Sequence, residues 1–371
     1  MKRLLLVLST LALTLSASAA TPKKAPARKT PAKKAAVAAK PAAPVETAHR
    51  KTPYVGAISV DAATGRVLFE DRADAEAYPA SVTKLMTLLL VMEDVKAGKY
   101  SFDDRVEATA DAYRSEPSWV GIKVGEKMSV RDLCAALMVE SANDAAIVLG
   151  VHSAGSFDAF VARMNARAAE LGMARTKYYN PNGLPPNAAK RYPWKSFNVS
   201  TARDQAVLAR TIVKMPEVMK LTSIKTCDLI KTADGFRVSV TRRVNEQSCA
   251  TAVGEDERIV KQLSNHNNLM RKENIVVAHE DEKGGVKKTK LPRLMNPDGR
   301  ETVDGLKTGY IDAGGSSIVL TGQRKGKRVI VVILGSDAEK DAKNRIVNGS
   351  AAVRDREARR LLEDALGSLD W

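Results

Sequence analysis

PASVTKLMTLLLVMEDVK, residues 79–96, starts with a proline, carries a serine and a lysine three apart, and then runs apolar to Val95. The pattern predicts a mostly apolar helix over Lys84 to Val95 with Ser81 at or near its start. Residues three apart on a helix share a face, so the Lys84 amine can reach the Ser81 hydroxyl. A serine is a weak nucleophile until a neighbouring base takes its proton. Nearby cations and partial desolvation favour the neutral amine that such a base must be. Alone, an S-x-x-K spacing arises often by chance and usually marks a capped helix with an exposed lysine.

The flanks give the helix a setting. On the N-terminal side, Tyr54 to Asp61 and Arg66 to Glu70 alternate like half-buried strands around the turn Ala63-Thr64-Gly65, a hairpin signal. On the C-terminal side, apolar residues recur at helical spacing over about 130–149 and 156–171, and another helix is predicted from Arg203 to Met215 with Ser200 or Thr201 as its cap. Thr308 to Ile311, Ser316 to Gly322 and Arg328 to Gly335 are β-rich and suggest three antiparallel strands. Val353, Leu361, Leu362 and Leu366 fit one face of a closing helix. Strands, helices, strands and a helix make an α/β chain of the α+β kind, in which an antiparallel sheet is assembled from both chain ends around an inserted helical lobe.

A cleft between the lobes would lie where the helices meet the sheet, and two further short motifs carry groups suited to it. Ser141-Ala142-Asn143 sits in a dip between helical runs and supplies a hydroxyl and an amide. Lys307-Thr308-Gly309 precedes the C-terminal strands with a second amine, a hydroxyl, and a glycine that lets another backbone come close. Each means little by itself. In this order they match the S-x-x-K, S-D-N and K-T-G trio of class A β-lactamases and penicillin-binding proteins.

Over roughly residues 52 to 366 the chain resembles the D-alanyl-D-alanine carboxypeptidase family of low-molecular-mass penicillin-binding proteins. The likeness extends to Pro79 through Thr87, Glu140 through Ala146, Asn180-Pro181-Asn182-Gly183-Leu184, Ser200 through Asp204 and Val303 through Gly309. It implies a β-lactamase/transpeptidase-like fold and peptidoglycan stem peptides as substrates, with β-lactam antibiotics as covalent inhibitors. It further implies that Ser81 attacks the carbonyl of the penultimate D-Ala, Lys84 takes its proton, and Ser141 relays a proton to the leaving D-Ala. By the same resemblance Asn143 holds the peptide, Lys307 and Thr308 bind the terminal carboxylate with help from Arg354, and the backbone N–H groups of Ser81 and Tyr310 form the oxyanion hole beside Gly309.

The departures are also informative. Gly314-Gly315-Ser316-Ser317 stands where the family usually has Gly-Tyr-Asn, and Tyr310 replaces a frequent histidine. Small residues there could open the wall to a second stem peptide, so a D,D-endopeptidase is the alternative to a carboxypeptidase. A β-lactamase is less expected, because the loop 180–184 holds no carboxylate to activate a deacylating water. A non-catalytic receptor would not need Ser81 and Lys84. The stretch from Ser141 to Lys307 is longer than the family usually has, so an insertion is expected within about 224–300. Cys227 and Cys249 fall there, and a disulfide between them would stabilise an exported chain by roughly 3 kcal/mol. The β-rich C-terminal domain and amphipathic helix of many relatives have no counterpart before Trp371.

The N-terminus points to export. Residues 1–20 join Lys2 and Arg3 to an apolar run and a small-residue ending, the build of a signal peptide cleaved after about Ala19 or Ala20. Residues 21–50, rich in Lys, Ala and Pro and without an aromatic side chain, read as a disordered linker. Residues 1–50 hold ten Lys or Arg against one Glu, so +9 of the net +16 lies there. That charge suits a spacer or a tether to an anionic envelope polymer, and export argues against nucleic acid as partner. Residues 51–371 are then the catalytic domain, at a periplasmic or cell-surface location. The scattered Cys and His residues and the lack of a phosphate-cradling or dinucleotide fingerprint point to no metal and no cofactor.

Overall fold

The computed structural model describes residues 52–369 apart from 114–117, 187–193, 241–242, 245–246, 249–252, 281–284 and 341–343. The expected signal peptide and linker lie outside the described residues, as does Cys249. Cys134 and Cys227 are buried free thiols.

In chain order the main elements are β1 (Gly56–Asp61), β2 (Val67–Asp71), α1 (Lys84–Lys96), α2 (Val130–Val139), α3 (Asn143–Ala154), α4 (Phe157–Glu170) and α5 (Ala202–Ile212). They continue as β3 (Thr226–Lys231), β4 (Phe236–Ser239), β5 (Arg258–Ser264), β6 (Val303–Ile311), β7 (Gly315–Arg324), β8 (Lys327–Ser336) and α6 (Ser350–Gly367). Five strands form one antiparallel sheet in the order β6-β7-β8-β1-β2, so first and last strands meet where Ile58 pairs with Val332. The sheet assembled from both chain ends is therefore present.

Period two decides which side each strand residue covers. Ile330, Val332 and Leu334 of β8 join the core shared with α1, α2, α3 and α5, while Val329, Val331 and Ile333 join a second core under α6, against Ala358, Leu361 and Leu362. Burial on both faces explains why β8 reads VIVVIL without polar interruption. Helix α1 is buried continuously from Lys84 to Met92, consistent with a helix apolar all round.

Caps mark the helix starts. Thr201 Oγ1 accepts from Asp204 N at 3.1 Å, and Ser156 Oγ accepts from Ala159 N at 3.2 Å. The helical run predicted over 130–149 is broken into α2 and α3 at Ser141, whose φ is +62°. The stretch 224–300 carries a second sheet, β4-β3-β5, and a separate hairpin of Asn274–Glu280 with Val286–Pro292.

Candidate active site

Ser81 is raised on a tight turn. Ala80 has φ +50°, unusual for a residue with a Cβ, and Ala80–Thr83 is a short 3-10 turn that passes directly into α1. Strand β6 lies against this turn. A Cβ on Gly309 would fall 2.6 Å from Pro79 O and 3.0 Å from Ser81 N, so only glycine permits the approach. The approach brings residues 309–310 of β6 beside the Ser81 amide.

Lys84 is fully buried and its amine meets three acceptors: Ser81 Oγ at 2.9 Å, Asn143 Oδ1 at 2.7 Å and the Asn182 carbonyl at 2.7 Å. Burial pushes the Lys84 pKa well below the usual lysine value, Lys307 nearby adds to this, and Asp144 opposes it. The neutral amine has two N–H bonds and one lone pair. With both N–H groups given to the two carbonyl oxygens, the lone pair faces the Ser81 hydroxyl, which is the geometry of a base.

The carbonyl of Asn182 comes from a braced loop. Asn180 Oδ1 accepts from Gly183 N at 2.6 Å, Thr87 Oγ1 donates to Pro181 O at 2.7 Å, and Asn198 Nδ2 bridges Asn180 O and Thr83 Oγ1, each at 3.0 Å. The loop places no carboxylate at Lys84.

Ser141 and Asn143 stand at the α2–α3 break. Asn143 N donates to Ser118 O at 2.8 Å, and the buried Asp144 carboxylate accepts from Val120, Gly121 and Ile122 N at 2.8–3.2 Å. The chain over Ser118 to Ile122 is thus fastened to the start of α3, with Trp119 exposed between the two anchor points. Ser141 Oγ is buried and has no hydrogen-bond partner among the described residues.

Lys307 and Thr308 are buried on β6, and Lys307 Nζ donates to Thr308 O at 2.9 Å. Burial, then the Arg354 charge, lowers the Lys307 pKa to about 7. Arg354, on α6, is itself buried and gives Nε and Nη2 to Asp355 Oδ1 at 2.8 and 2.6 Å. In this state its guanidinium is engaged by Asp355 and reaches Lys307 through its field. Tyr310 is 58% exposed, and its hydroxyl donates to Asp312 Oδ1 at 2.8 Å.

The small residues 314–317 have a packing role. Ser316 and Ser317 are buried, Ser316 Oγ bonds Ser350 Oγ at 2.9 Å, and Ser317 Oγ accepts from Gly335 N at 3.1 Å. A Cβ on Gly314 would lie 3.0 Å from that of Tyr78. Ser316 and Ser317 thus fit β7 to its neighbours, while Gly314 and Gly315 are half-buried at the turn that starts it.

Sequence reading missed the Asn182 carbonyl and the Asp144 clamp, and it did not place His266 in the field of the two lysines. His266 precedes the cap of a short helical turn, Asn268–Arg271, and partial desolvation with the charges of Lys307, Lys84, Arg271 and Arg354 lowers its pKa to about 4. The Asn-Pro-Asn-Gly loop and the Asp beside Asn143 were legible as motif residues. His266 had no signal beyond being one of four histidines.

Comparison with known proteins points to one family. A family model described as D-alanyl-D-alanine carboxypeptidase matches residues 45–250. The D-alanyl-D-alanine carboxypeptidase DacF of Bacillus subtilis is 32% identical over 166 residues, taking in 45% of this chain and 40% of that relative. The chain therefore spans less than half the length of that curated relative. The crystal structure of the D-alanyl-D-alanine carboxypeptidase DacD from Francisella tularensis is similar with a TM-score of 0.60 and 26% identity, over 88% of this chain and 74% of that one. Penicillin-binding protein D2 of Listeria monocytogenes in its ampicillin-bound form gives a TM-score of 0.58 at 26% identity, over 86% and 99%.

Proposed function

The chain belongs to the D-alanyl-D-alanine carboxypeptidase family, and on that premise we propose that it removes the terminal D-alanine from peptidoglycan stem pentapeptides through an acyl-enzyme on Ser81. The observation that carries this is the buried Lys84 amine, 2.9 Å from Ser81 Oγ and held by two further carbonyl acceptors. In the reaction, Ser81 Oγ attacks the carbonyl of the penultimate D-Ala while its proton passes to Lys84. The oxyanion is received by the N–H groups of Ser81 and Tyr310, which the glycine at 309 allows to converge. The C–N bond then breaks as Ser141 passes a proton to the leaving nitrogen, and D-Ala departs. Water hydrolyses the ester and regenerates Ser81.

Protonated Lys307, with Thr308, receives the carboxylate of the free terminus. That preference for a free terminus, and the packing role of residues 314–317, support the carboxypeptidase over the cross-link-cutting endopeptidase. A β-lactam enters as a mimic of the D-Ala-D-Ala end and stalls at the ester, since loop 180–184 offers no carboxylate to activate water. The same proposal sets the reaction outside the cytoplasm, resting on residues 1–20, and gives the basic linker an anionic envelope polymer as tether.

Mass spectrometry after incubation with a penicillin, and separately with a stem pentapeptide, tests the reading. A lasting adduct on Ser81 and release of D-Ala are expected. Rapid penicillin turnover without an adduct would make it a β-lactamase, and faster cleavage of cross-linked muropeptides than of pentapeptide would make it an endopeptidase.

A further inference from the structure

The seven residues Lys261 to Asn267 touch both walls of the cleft. At one end Lys261, on β5, forms an ion pair with Glu140, the residue just before Ser141. Glu140 is 9% exposed, and its N–H donates to Ala136 O at 3.1 Å as the last turn of α2 closes. At the other end Asn267 Nδ2 donates to Gly305 O at 3.3 Å, two residues before Lys307. Between them Asn265 Nδ2 donates to Ile224 O at 3.0 Å, and its Oδ1 accepts from Asn267 N at 2.9 Å. The connection is short and fastened at several points along its length. His266 sits within it, near the charges of both Lys84 and Lys307.

Ser141 is the residue most in need of such support. Its left-handed φ of +62° is costly for a side chain with a Cβ, and it persists only where the surroundings over-determine it. Its buried Oγ has no hydrogen bond to fix its direction, so the backbone on either side must set it. Downstream, Asn143 N is held by Ser118 O. Upstream, among the described residues, the Glu140 side chain supplies an anchor outside α2 through Lys261.

We propose that residues 261–267 are a brace that fixes Ser141 relative to Lys307, with Lys261 as a positioning residue acting through Glu140. The inference rests on the reading of Ser141 as proton donor to the leaving nitrogen. Without Lys261 the Glu140 carboxylate is left nearly buried and unpaired, and it relieves this by turning toward solvent and carrying the Ser141 backbone with it.

The acylation rate constant with a fluorescent penicillin, measured in the unmodified protein, in Lys261→Met, in Lys261→Arg, in Ser141→Ala and in the Ser141→Ala, Lys261→Met double variant, tests this. Lys261→Met is expected to slow acylation about tenfold or more, as displacement of a reacting group by a fraction of an ångström does, and Lys261→Arg to restore most of the rate. In a Ser141→Ala protein the same Lys261→Met change should add nothing, because the residue it positions has gone. An unchanged rate in Lys261→Met, or an equal loss with and without Ser141, overturns the brace. Absence of any Ser81 adduct in the unmodified protein overturns instead the functional reading beneath it.

Discussion

Lys84 and Lys307 are two buried amines in one cleft, and their surroundings differ in kind. Lys84 is met by Ser81 Oγ, Asn143 Oδ1 and the Asn182 carbonyl, three acceptors drawn from three segments of the chain. Lys307 donates to the carbonyl of its own neighbour Thr308 and lies in the field of Arg354. Both have depressed pKa values, chiefly through burial. The first amine is arranged so that, once neutral, its lone pair is aimed at one hydroxyl. The second is a cation whose desolvation is offset only when an anion arrives, which is how a carboxylate site gains from binding. On the proposed mechanism similar titration serves opposite ends: one lysine would work deprotonated and the other protonated.

The sharpest way to break this contrast is to remove the base. Lys84→Met should slow acylation of Ser81 by a penicillin about 10³-fold, the span that a positioned general base supplies, while the protein stays folded. A variant that acylates within tenfold of the original would mean that another group takes the proton. Next in size comes Gly309→Ala. Its Cβ would fall 2.6 Å from Pro79 O, pushing β6 off the Ser81 turn and one oxyanion donor off its target. A loss of roughly a hundredfold in acylation is expected, with little change in melting temperature.

These two substitutions also mark what could be read in the sequence. The Ser81–Lys84 pairing was legible because the two lie three apart where a turn runs into a helix, and the two-ended sheet because β8 and its neighbours carry unmistakable apolar runs. The partners of Lys84 were not, since Asn182 contributes a backbone carbonyl from 98 positions away, and a carbonyl has no residue signature. Lys261 looked like any lysine on a strand until folding set it against Glu140. For Arg354 the resemblance implied help with the carboxylate; without substrate its guanidinium bonds the adjacent Asp355, a contact invisible in a motif. Residues 314–317 read as small by sequence, and only folding showed Ser316 and Ser317 buried in the sheet with Gly314 at the turn before it.

The pH dependence sharpens the contrast between the two lysines. kcat/KM for pentapeptide should rise as Lys84 loses its proton and fall as pH passes about 7, where free Lys307 loses the charge that binds the carboxylate. Because Lys307 is one cause of the Lys84 shift, both limbs belong to the pair. A substrate whose terminal carboxylate is amidated should lack the falling limb. Stability has a definite sign as well. A lysine depressed to about 7 binds fewer protons folded than unfolded between there and its ordinary value near 10.4, so stability increases with pH across that window. Lys307→Met should therefore stabilise the protein at pH 7 by about 2 to 4 kcal/mol, and the gain should shrink toward pH 10. Denaturant melts at the two pH values check it, and a gain independent of pH would mean that Lys307 is not held at a depressed pKa.

Arg354 gives the smallest kinetic effect and the finest test of how Lys307 is tuned. Its guanidinium is engaged by Asp355, so its removal should not cost the contact to substrate that the family resemblance implied. What it should remove is a positive charge near Lys307, which lets the Lys307 pKa rise and moves the falling limb of the kcat/KM profile to higher pH. Asp355 would keep its bond from Asn268 Nδ2 at 2.9 Å, but the buried carboxylate would lose its ion-pair partner. Arg354→Ala is accordingly expected to lower stability by about 3 kcal/mol while changing kcat little at low pH. A large rise in KM at every pH, with the falling limb unmoved, would instead make Arg354 a direct carboxylate ligand that leaves Asp355 when substrate binds.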